Sequence, residues 1–239
     1  MKSGTNTAPS ETELFDLSQR HENQSPQDIL EYALSEYFPG IILACSFGAE
    51  DVVLVDMVCR INPKARLFYL DTDFLFPETH AVRDRIIAHY HLSPEQVLQV
   101  KSELSPEEQA EQYGAGLWLR RPDECCQLRK IEPLTRTLQN YSAWITGIRR
   151  DQSPTRANTP VIEWDTKFQL VKVNPLAKWT NEDVWSYIRT HEVPYNSLHD
   201  QHYPSIGCTH CTGPVMPGDD PRSGRWQNSN KTECGIHPS

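Results

Sequence analysis

The chain has 239 residues, 38% hydrophobic and 23% charged, with a formal net charge of −9 and a pI of about 5.5. That balance describes an ordinary soluble globular protein and excludes one that holds nucleic acid or an anionic membrane by bulk charge. No apolar stretch approaches the roughly 20 residues of a membrane helix, and Met1 to Arg20 carries no apolar run of a secretion signal.

Residues 1–24 read as a loose polar segment with a short helix over Glu11–Gln19. Ser25-Pro26-Gln27-Asp28 places an N-cap serine, a first-turn proline and an acid three residues on, which predicts a helix over 26–37, stopped before Pro39-Gly40. Ile41-Ile-Leu-Ala-Cys-Ser46 has the unbroken apolar pattern of a fully buried strand, and Phe47–Asp51 turns from it into a helix over 50–60. Ala65–Leu70 is the next strand, with Asp71-Thr72-Asp73 at its end, and Pro77 opens a helix to about His91. Val97–Val100 is a third strand, Ser105-Pro-Glu-Glu108 caps a helix to Tyr113, and Trp144–Ile148 is a fourth strand beyond a cysteine-bearing helix. Val161–Trp164 and Leu170–Val173 read as shorter strands, and Thr180 caps a helix to about His191.

Strands alternating with helices at this spacing predict a parallel α/β sheet with helices on both faces. Such sheets bind ligands at the C-terminal ends of their strands, where Ser46–Asp51, Asp71–Asp73 and Gly147–Arg150 fall. The organisation read from the chain is a loose segment over 1–24, an α/β domain over 25–191 and an irregular arm over 192–239, rich in Pro, Gly, Asn and His, that packs over the ligand edge.

Seven cysteines, an odd count without a secretion signal, point to reduced thiols used as ligands or nucleophiles. Cys125-Cys126 and Cys208-x-x-Cys211 supply four thiols from two distant segments, a set that suits zinc or an iron–sulfur cluster. Adjacent cysteines reach different corners of a larger object more easily than one ion, which leans toward a 4Fe–4S cluster. Lys130 lies one turn after Cys126, where its charge faces such an anionic group or solvent. Cys45 and Cys59 fall on apolar faces and are read as core, as are Trp179 and Trp185. His80, His199, His202 and His210 are assigned surface or structural places. Cys234 sits in the polar, glycine-hinged tail Lys231-Thr-Glu-Cys-Gly-Ile-His237, a poor place for a core thiol, between Lys231 and His237, whose positive charge favours the thiolate.

Ser46, Gly48 and Asp51 belong to a strand-to-helix turn of the kind that offers backbone N–H groups to an oxyanion. Gly147, Arg149, Arg150 and Arg156 follow the fourth strand, and Arg222 and Arg225 lie in the arm. Guanidinium groups gathered in the loops of an acidic protein indicate an anion pocket. Asp71 and Asp73 are read as ribose or metal ligands, or as caps of the next helix.

Taken together, Cys125-Cys126-Gln-Leu-Arg-Lys130, Trp144-Ile-Thr-Gly-Ile-Arg-Arg-Asp-Gln-Ser-Pro-Thr-Arg156, Gly207-Cys-Thr-His-Cys-Thr212 and Glu233-Cys-Gly-Ile-His237 resemble the assimilatory adenylylsulfate (APS) reductases, the iron–sulfur branch of the APS/PAPS reductase family, over residues 25–239. The resemblance implies a PP-loop type nucleotide-binding fold and a 4Fe–4S cluster on Cys125, Cys126, Cys208 and Cys211. It implies Cys234 as a nucleophile on a mobile tail that takes the sulfo group from APS and releases it as sulfite when thioredoxin or a similar dithiol attacks. Substrate contacts are expected from Ser46, Gly48, Asp51, Asp71, Lys130, Gly147, Arg149, Arg156, Arg222, Arg225 and His237, in a cytoplasmic enzyme with no nucleic-acid or membrane partner. In the family the cluster tunes the site electrostatically. The turn Ser46-Phe47-Gly48-Ala49-Glu50-Asp51 lacks one glycine of the generic Ser-Gly-Gly-x-Asp-Ser loop, which suits a substrate without β- and γ-phosphates. Three alternatives stay open: use of PAPS or of both nucleotides, an ATP-dependent PP-loop sulfur-transfer enzyme, and a non-enzymatic cluster sensor. A homo-oligomer is compatible with all of them.

Overall fold

A computed structural model describes residues 10–227, 231 and 233–237. In chain order its helices and strands are α1 (Glu11–His21), α2 (Pro26–Tyr37), β1 (Ile41–Ala44), α3 (Ala49–Ile61), β2 (Leu67–Asp71), α4 (Pro77–His89), β3 (Val97–Lys101), α5 (Pro106–Tyr113), α6 (Leu117–Arg120), α7 (Pro122–Cys126), a π-helical turn (Gln127–Ile131), α8 (Glu132–Leu138), β4 (Ala143–Ile145), β5 (Ile162–Asp165), β6 (Leu170–Val173) and α9 (Asn181–Thr190). The strands form one sheet in the order β3-β2-β1-β4-β6-β5. Its neighbours are parallel except β5, which returns antiparallel on β6 and makes the sheet mixed rather than wholly parallel. The two runs are joined by only Thr166–Gln169, too short for a parallel crossover and suited to a hairpin.

Strand alternation divides the core. Ile41, Leu43, Ala143, Ile145, Val171 and Val173 face one cluster, built with α2, α3 and α9. Ile42, Trp144 and Leu170 face the other, with Leu134 and Leu138 of α8. A side-chain period of two sends successive residues to opposite faces, and helices covering both faces explain why β1 is apolar throughout.

Of the segment expected to be loose, residues 1–9 lie outside the described residues and the remainder holds α1. A capping box between Ser10 and Glu13 starts α1, and Leu14, Leu17, Ser18 and His21 are buried. Their spacing is one helical stripe, and α1 lies against β5. Only two of the four are apolar, which is why the stretch looks polar in sequence. Beyond α9 the described residues hold short 3₁₀ turns and one isolated bridge, Thr212 to Arg225. No helix among the described residues is long and apolar enough to cross a membrane.

Candidate active site

A cavity of about 820 Å³ opens at the C-terminal ends of β1, β2 and β4 and is roofed by the arm and the tail. Its floor is the turn from β1 into α3. Gly48 is the N-cap of α3 and makes no side-chain capping bond, so the first amides of α3 keep their donors for a ligand. Phe47, at φ 60°, reverses the chain there. Its ring is buried edge-on against Tyr69, 5.5 Å between centroids, and that packing holds a bulky residue in the left-handed region. Ser46 donates from both N and Oγ to Asp51 Oδ2, at 2.5 and 2.7 Å. A Cβ on Gly147 would overlap the Asp51 carboxylate and stand 3.0 Å from Glu50 Cβ. Glycine is therefore what lets the end of β4 close on the turn.

Burial pushes Asp51 up to about 6 from 3.8; the hydrogen bonds from Ser46 oppose the shift and Glu50 adds to it. A carboxyl raised on folding binds its proton more tightly in the folded state, so it costs stability as pH rises from about 4 to 6 and the cost is complete above that. At 1.36 kcal/mol per pKa unit the cost is roughly 3 kcal/mol. Asp51→Asn keeps an acceptor for Ser46 without the charge. In thermal melts the advantage of Asp51→Asn over wild type is expected to be larger at pH 7.5 than at pH 4.5. A gap constant across that range would mean Asp51 is not the titrating group.

The arginines expected at the site are not equivalent. Arg149 lines the cavity but is buried, donating from Nε to Glu50 at 2.9 Å and from Nη1 to Asp151 at 3.1 Å. Arg150 turns away to pair with Glu22. Arg156 and Arg222 both bind the carboxylate of Glu233, at 2.8 and 3.0 Å. Arg225 lies over the Trp226 ring, 4.4 Å from its centroid, and donates to Ser205 Oγ at 3.1 Å. Asp71 stands outside the cavity lining. It accepts from Gln99 and from the backbone of Asp73, and Lys101 lies 3.7 Å away. It braces the end of β2 on the sheet face it shares with Gln99 and Lys101 of β3.

The tail lies across the cavity mouth. Cys234 is half-buried and lines the cavity together with Lys130 and His237. Gly235 turns the chain at φ +81° and its carbonyl accepts from Lys167 at 2.6 Å. Ile236 packs on the Trp144 cluster, and the His237 ring stacks on Trp144 at 5.7 Å. The expected charge of His237 is absent. Burial first, then the positive charges of Lys172, Arg156, Arg222 and Lys167, hold it well below the usual histidine range, and it is neutral. Lys231 pairs with Asp123.

The positive charge near Cys234 comes instead from Lys130. Burial opposes its charge, but the sulfurs of Cys208, Cys234 and Cys126 outweigh that and raise its pKa. Lys130 sits on the π-helical turn directly after the cysteine pair. On its other side Cys125, Cys126, Cys208 and Cys211 line one small void, with Phe74, Trp118 and His210 around it. None of the four is in a disulfide. Burial, then the three neighbouring thiols, push Cys125 up to about 12. Thr72 Oγ1 lies 3.3 Å from Cys208 Sγ. Arg129 also lines the void; it donates from Nε to Gln109 and from Nη1 to Asp73, while its buried Nη2 has no partner. Among the described residues no three His, Cys, Asp or Glu side chains are grouped to hold a single metal ion.

Cys45 is buried and Cys59 packs against the core, as expected. His210 stacks on Trp118 at 4.0 Å, and His80 bonds to Arg83. His199 and His202, read as structural, both line the cavity, and the Nε2 of His199 is buried without a partner. Glu50 and Glu233 also escaped sequence reasoning. Each is an acid whose role is set by an arginine far along the chain, and the only available signal was an acid beside a residue already singled out.

The phosphoadenosine phosphosulfate reductase domain family matches residues 40–214. Adenosine 5'-phosphosulfate reductase of Shouchella clausii is 50% identical over 226 residues, covering 95% of this chain and 93% of that protein. Phosphoadenosine 5'-phosphosulfate reductase of Gloeobacter violaceus is 46% identical over 230 residues, covering 95% and 94%. Among solved structures, phosphoadenylyl-sulfate (PAPS) reductase from Candida auris, in a phosphate complex, superimposes with a TM-score of 0.77 at 31% identity, covering 87% of this chain and 99% of that one. The expected PP-loop α/β fold is the fold found. With the family matched across the whole sheet and into the first part of the arm, the chain belongs to the phosphoadenosine phosphosulfate reductase domain family.

Proposed function

We propose that this chain is an APS reductase, which converts APS to sulfite and AMP with electrons from reduced thioredoxin or a similar dithiol, in cytoplasmic sulfate assimilation. One observation carries the reading: Cys234 and Lys130 face the same cavity as the oxyanion-type turn Ser46–Asp51. The Cys234 thiolate attacks the sulfur of APS. The bond from that sulfur to the phosphate oxygen breaks, AMP leaves and an S-sulfocysteine forms. A thiolate of the dithiol then attacks Cys234 Sγ, and sulfite departs with the electron pair of the broken S–S bond. The second thiol closes the reductant's disulfide and returns Cys234 as thiolate. Lys130 neutralises charge building on the sulfo group and on the leaving phosphate.

Cys125, Cys126, Cys208 and Cys211 fit a 4Fe–4S cluster. The donor set is four thiols around one void, and the unpartnered Nη2 of buried Arg129 supplies a donor for an anionic group. When bound, the cluster would supply negative charge behind Lys130 and so set the field at the cavity. The Gloeobacter relative's name keeps PAPS as a second substrate reading.

The test is incubation of anaerobically purified protein with APS, and separately with PAPS, without reductant. The expected result is release of one AMP per chain from APS, or of one adenosine 3′,5′-bisphosphate where PAPS is accepted, and a sulfo adduct on the peptide containing Cys234. AMP release without the adduct, or turnover of ATP in place of either nucleotide, overturns the proposal.

A further inference from the structure

Glu233, the residue before the proposed nucleophile, accepts three hydrogen bonds from two arginines. Arg156 grips it by a two-pronged contact, Nε to Oε1 at 3.1 Å and Nη2 to Oε2 at 2.8 Å, and Arg222 Nη2 adds a third bond to Oε2 at 3.0 Å. All three side chains are nearly sealed from water, at 11%, 12% and 18% exposure for Glu233, Arg156 and Arg222. Arg156 is itself fixed by Gln152, whose Oε1 also accepts from the backbone of Arg149. The receiver is thus tied to the loop after β4, while Arg222 comes from the arm. Bidentate, desolvated carboxylate–guanidinium contacts are among the strong and directional ones. This one joins three separate pieces of chain immediately beside Cys234.

We propose that Glu233 is a positioning residue: its carboxylate, gripped by Arg156 and Arg222, latches the tail so that Cys234 is held over the cavity. Two features assign Glu233 to the tail's position. First, both arginines, although they line the cavity, direct a guanidinium nitrogen to the Glu233 carboxylate. Second, the neighbouring anchors, Ile236 and His237, lie on the far side of the Gly235 turn. With Glu233 released, that turn is free to swing the sulfur outward while its end stays docked. A protein dithiol needs this movement, because Cys234 is half-buried in the latched state. The latch therefore closes for transfer of the sulfo group and opens for its removal. The proposal rests on the reading of Cys234 as nucleophile.

The test compares wild type with Glu233→Gln in two assays. Carbamidomethylation of Cys234 by iodoacetamide, followed on its own peptide by mass spectrometry, reads the position of the tail and needs no catalysis. Steady-state sulfite release from APS reads the chemistry. In Glu233→Gln, alkylation of Cys234 is expected to quicken and kcat to fall, each on the order of tenfold or more, the least that removing one member of a buried charge pair shifts an equilibrium. KM for APS is expected to stay within about threefold, since the lost contact is with the tail rather than the substrate. Arg156→Gln is expected to speed alkylation as well, and adding it to Glu233→Gln to add little, because both remove the same contact. Glu233→Asp, which keeps the charge at shorter reach, is expected to fall between. Should the glutamine variants fold poorly, Glu233→Asp alone carries the test, and it is expected to accelerate alkylation of Cys234 over wild type. Unchanged alkylation in every arm overturns the proposal, and so does a lower KM with unchanged kcat, which would make Glu233 a competitor for the substrate's anion. If wild type makes no sulfite at all, the reading of Cys234 fails, and the alkylation rates still decide the latch.

Discussion

Cys234→Ser is expected to reduce sulfite release from APS to background while leaving the fold and the affinity for AMP in place. The side chain is half-buried in a tail outside the sheet, and neither core cluster includes it. A serine hydroxyl is isosteric enough to keep the tail docked through Glu233, Ile236 and His237. It is far from ionised at neutral pH, however, and cannot form the sulfur–sulfur bond that later releases sulfite. Loss of a sole nucleophile costs on the order of 10⁴-fold or more. The measurement is sulfite and AMP release with thioredoxin, alongside calorimetric binding of AMP. Sulfite release retained within tenfold would remove Cys234 from the chemistry. Loss of AMP binding in step with activity would show that the tail shapes the nucleotide site rather than reacting with its ligand.

The second large effect is expected from Lys130→Met, which keeps the stem of the side chain and removes its charge. Lys130 is the cation to which Cys126, Cys208 and Cys234 all couple, so it stands between the thiol group and the nucleophile. Removing one preorganised donor to developing negative charge costs about 10²- to 10³-fold in rate, and kcat/KM for APS is expected to fall by that much. Iron and labile sulfide are measured in the same preparation. If activity falls only in proportion to iron, Lys130 serves the thiol site alone. If activity falls with iron content unchanged, it acts on the substrate side. Lys130→Arg is not expected to restore the rate, because a planar guanidinium does not occupy the place of a compact ammonium.

The elements of the sheet could be read from local pattern because each signal is local. Apolar runs mark β1 and β2, and the capping serines at Ser25 and Ser105 mark α2 and α5. The site residues were legible to the extent that their chemistry is intrinsic. A Cys-x-x-Cys in a proline-rich arm or a thiol in a polar tail announces itself wherever it lies. What could not be read is charge pairing at long range. Arg149 meets Glu50 across 99 residues, and Arg156 meets Glu233 across 77. Both pairings are created by topology, the loop after β4 passing beside the turn after β1 and beneath the tail. Each converts an apparent substrate arginine into a partner of the protein's own carboxylate. The neutrality of His237 was hidden for a related reason. Two of the basic groups that depress it, Lys172 and Lys167, lie on and beside β6, and strand alternation turns Lys172 toward Trp144, on which His237 stacks.

The π-helical turn over Gln127–Ile131 links the cysteine pair to α8. In an α-helix each residue rotates the next by about 100°, so the face carrying Cys125 and Cys126 would fix the face on which Leu134 and Leu138 emerge. The looser winding adds one residue to the circuit and uncouples those two registers. The cysteines can then meet the arm while the leucines meet the sheet, with Lys130 left in between. In terms of descent, this is what a single-codon insertion into a regular helix produces. It also makes the stretch unusually intolerant of length change: a one-residue deletion there would rewind it to α and force a choice between the thiol site and the core.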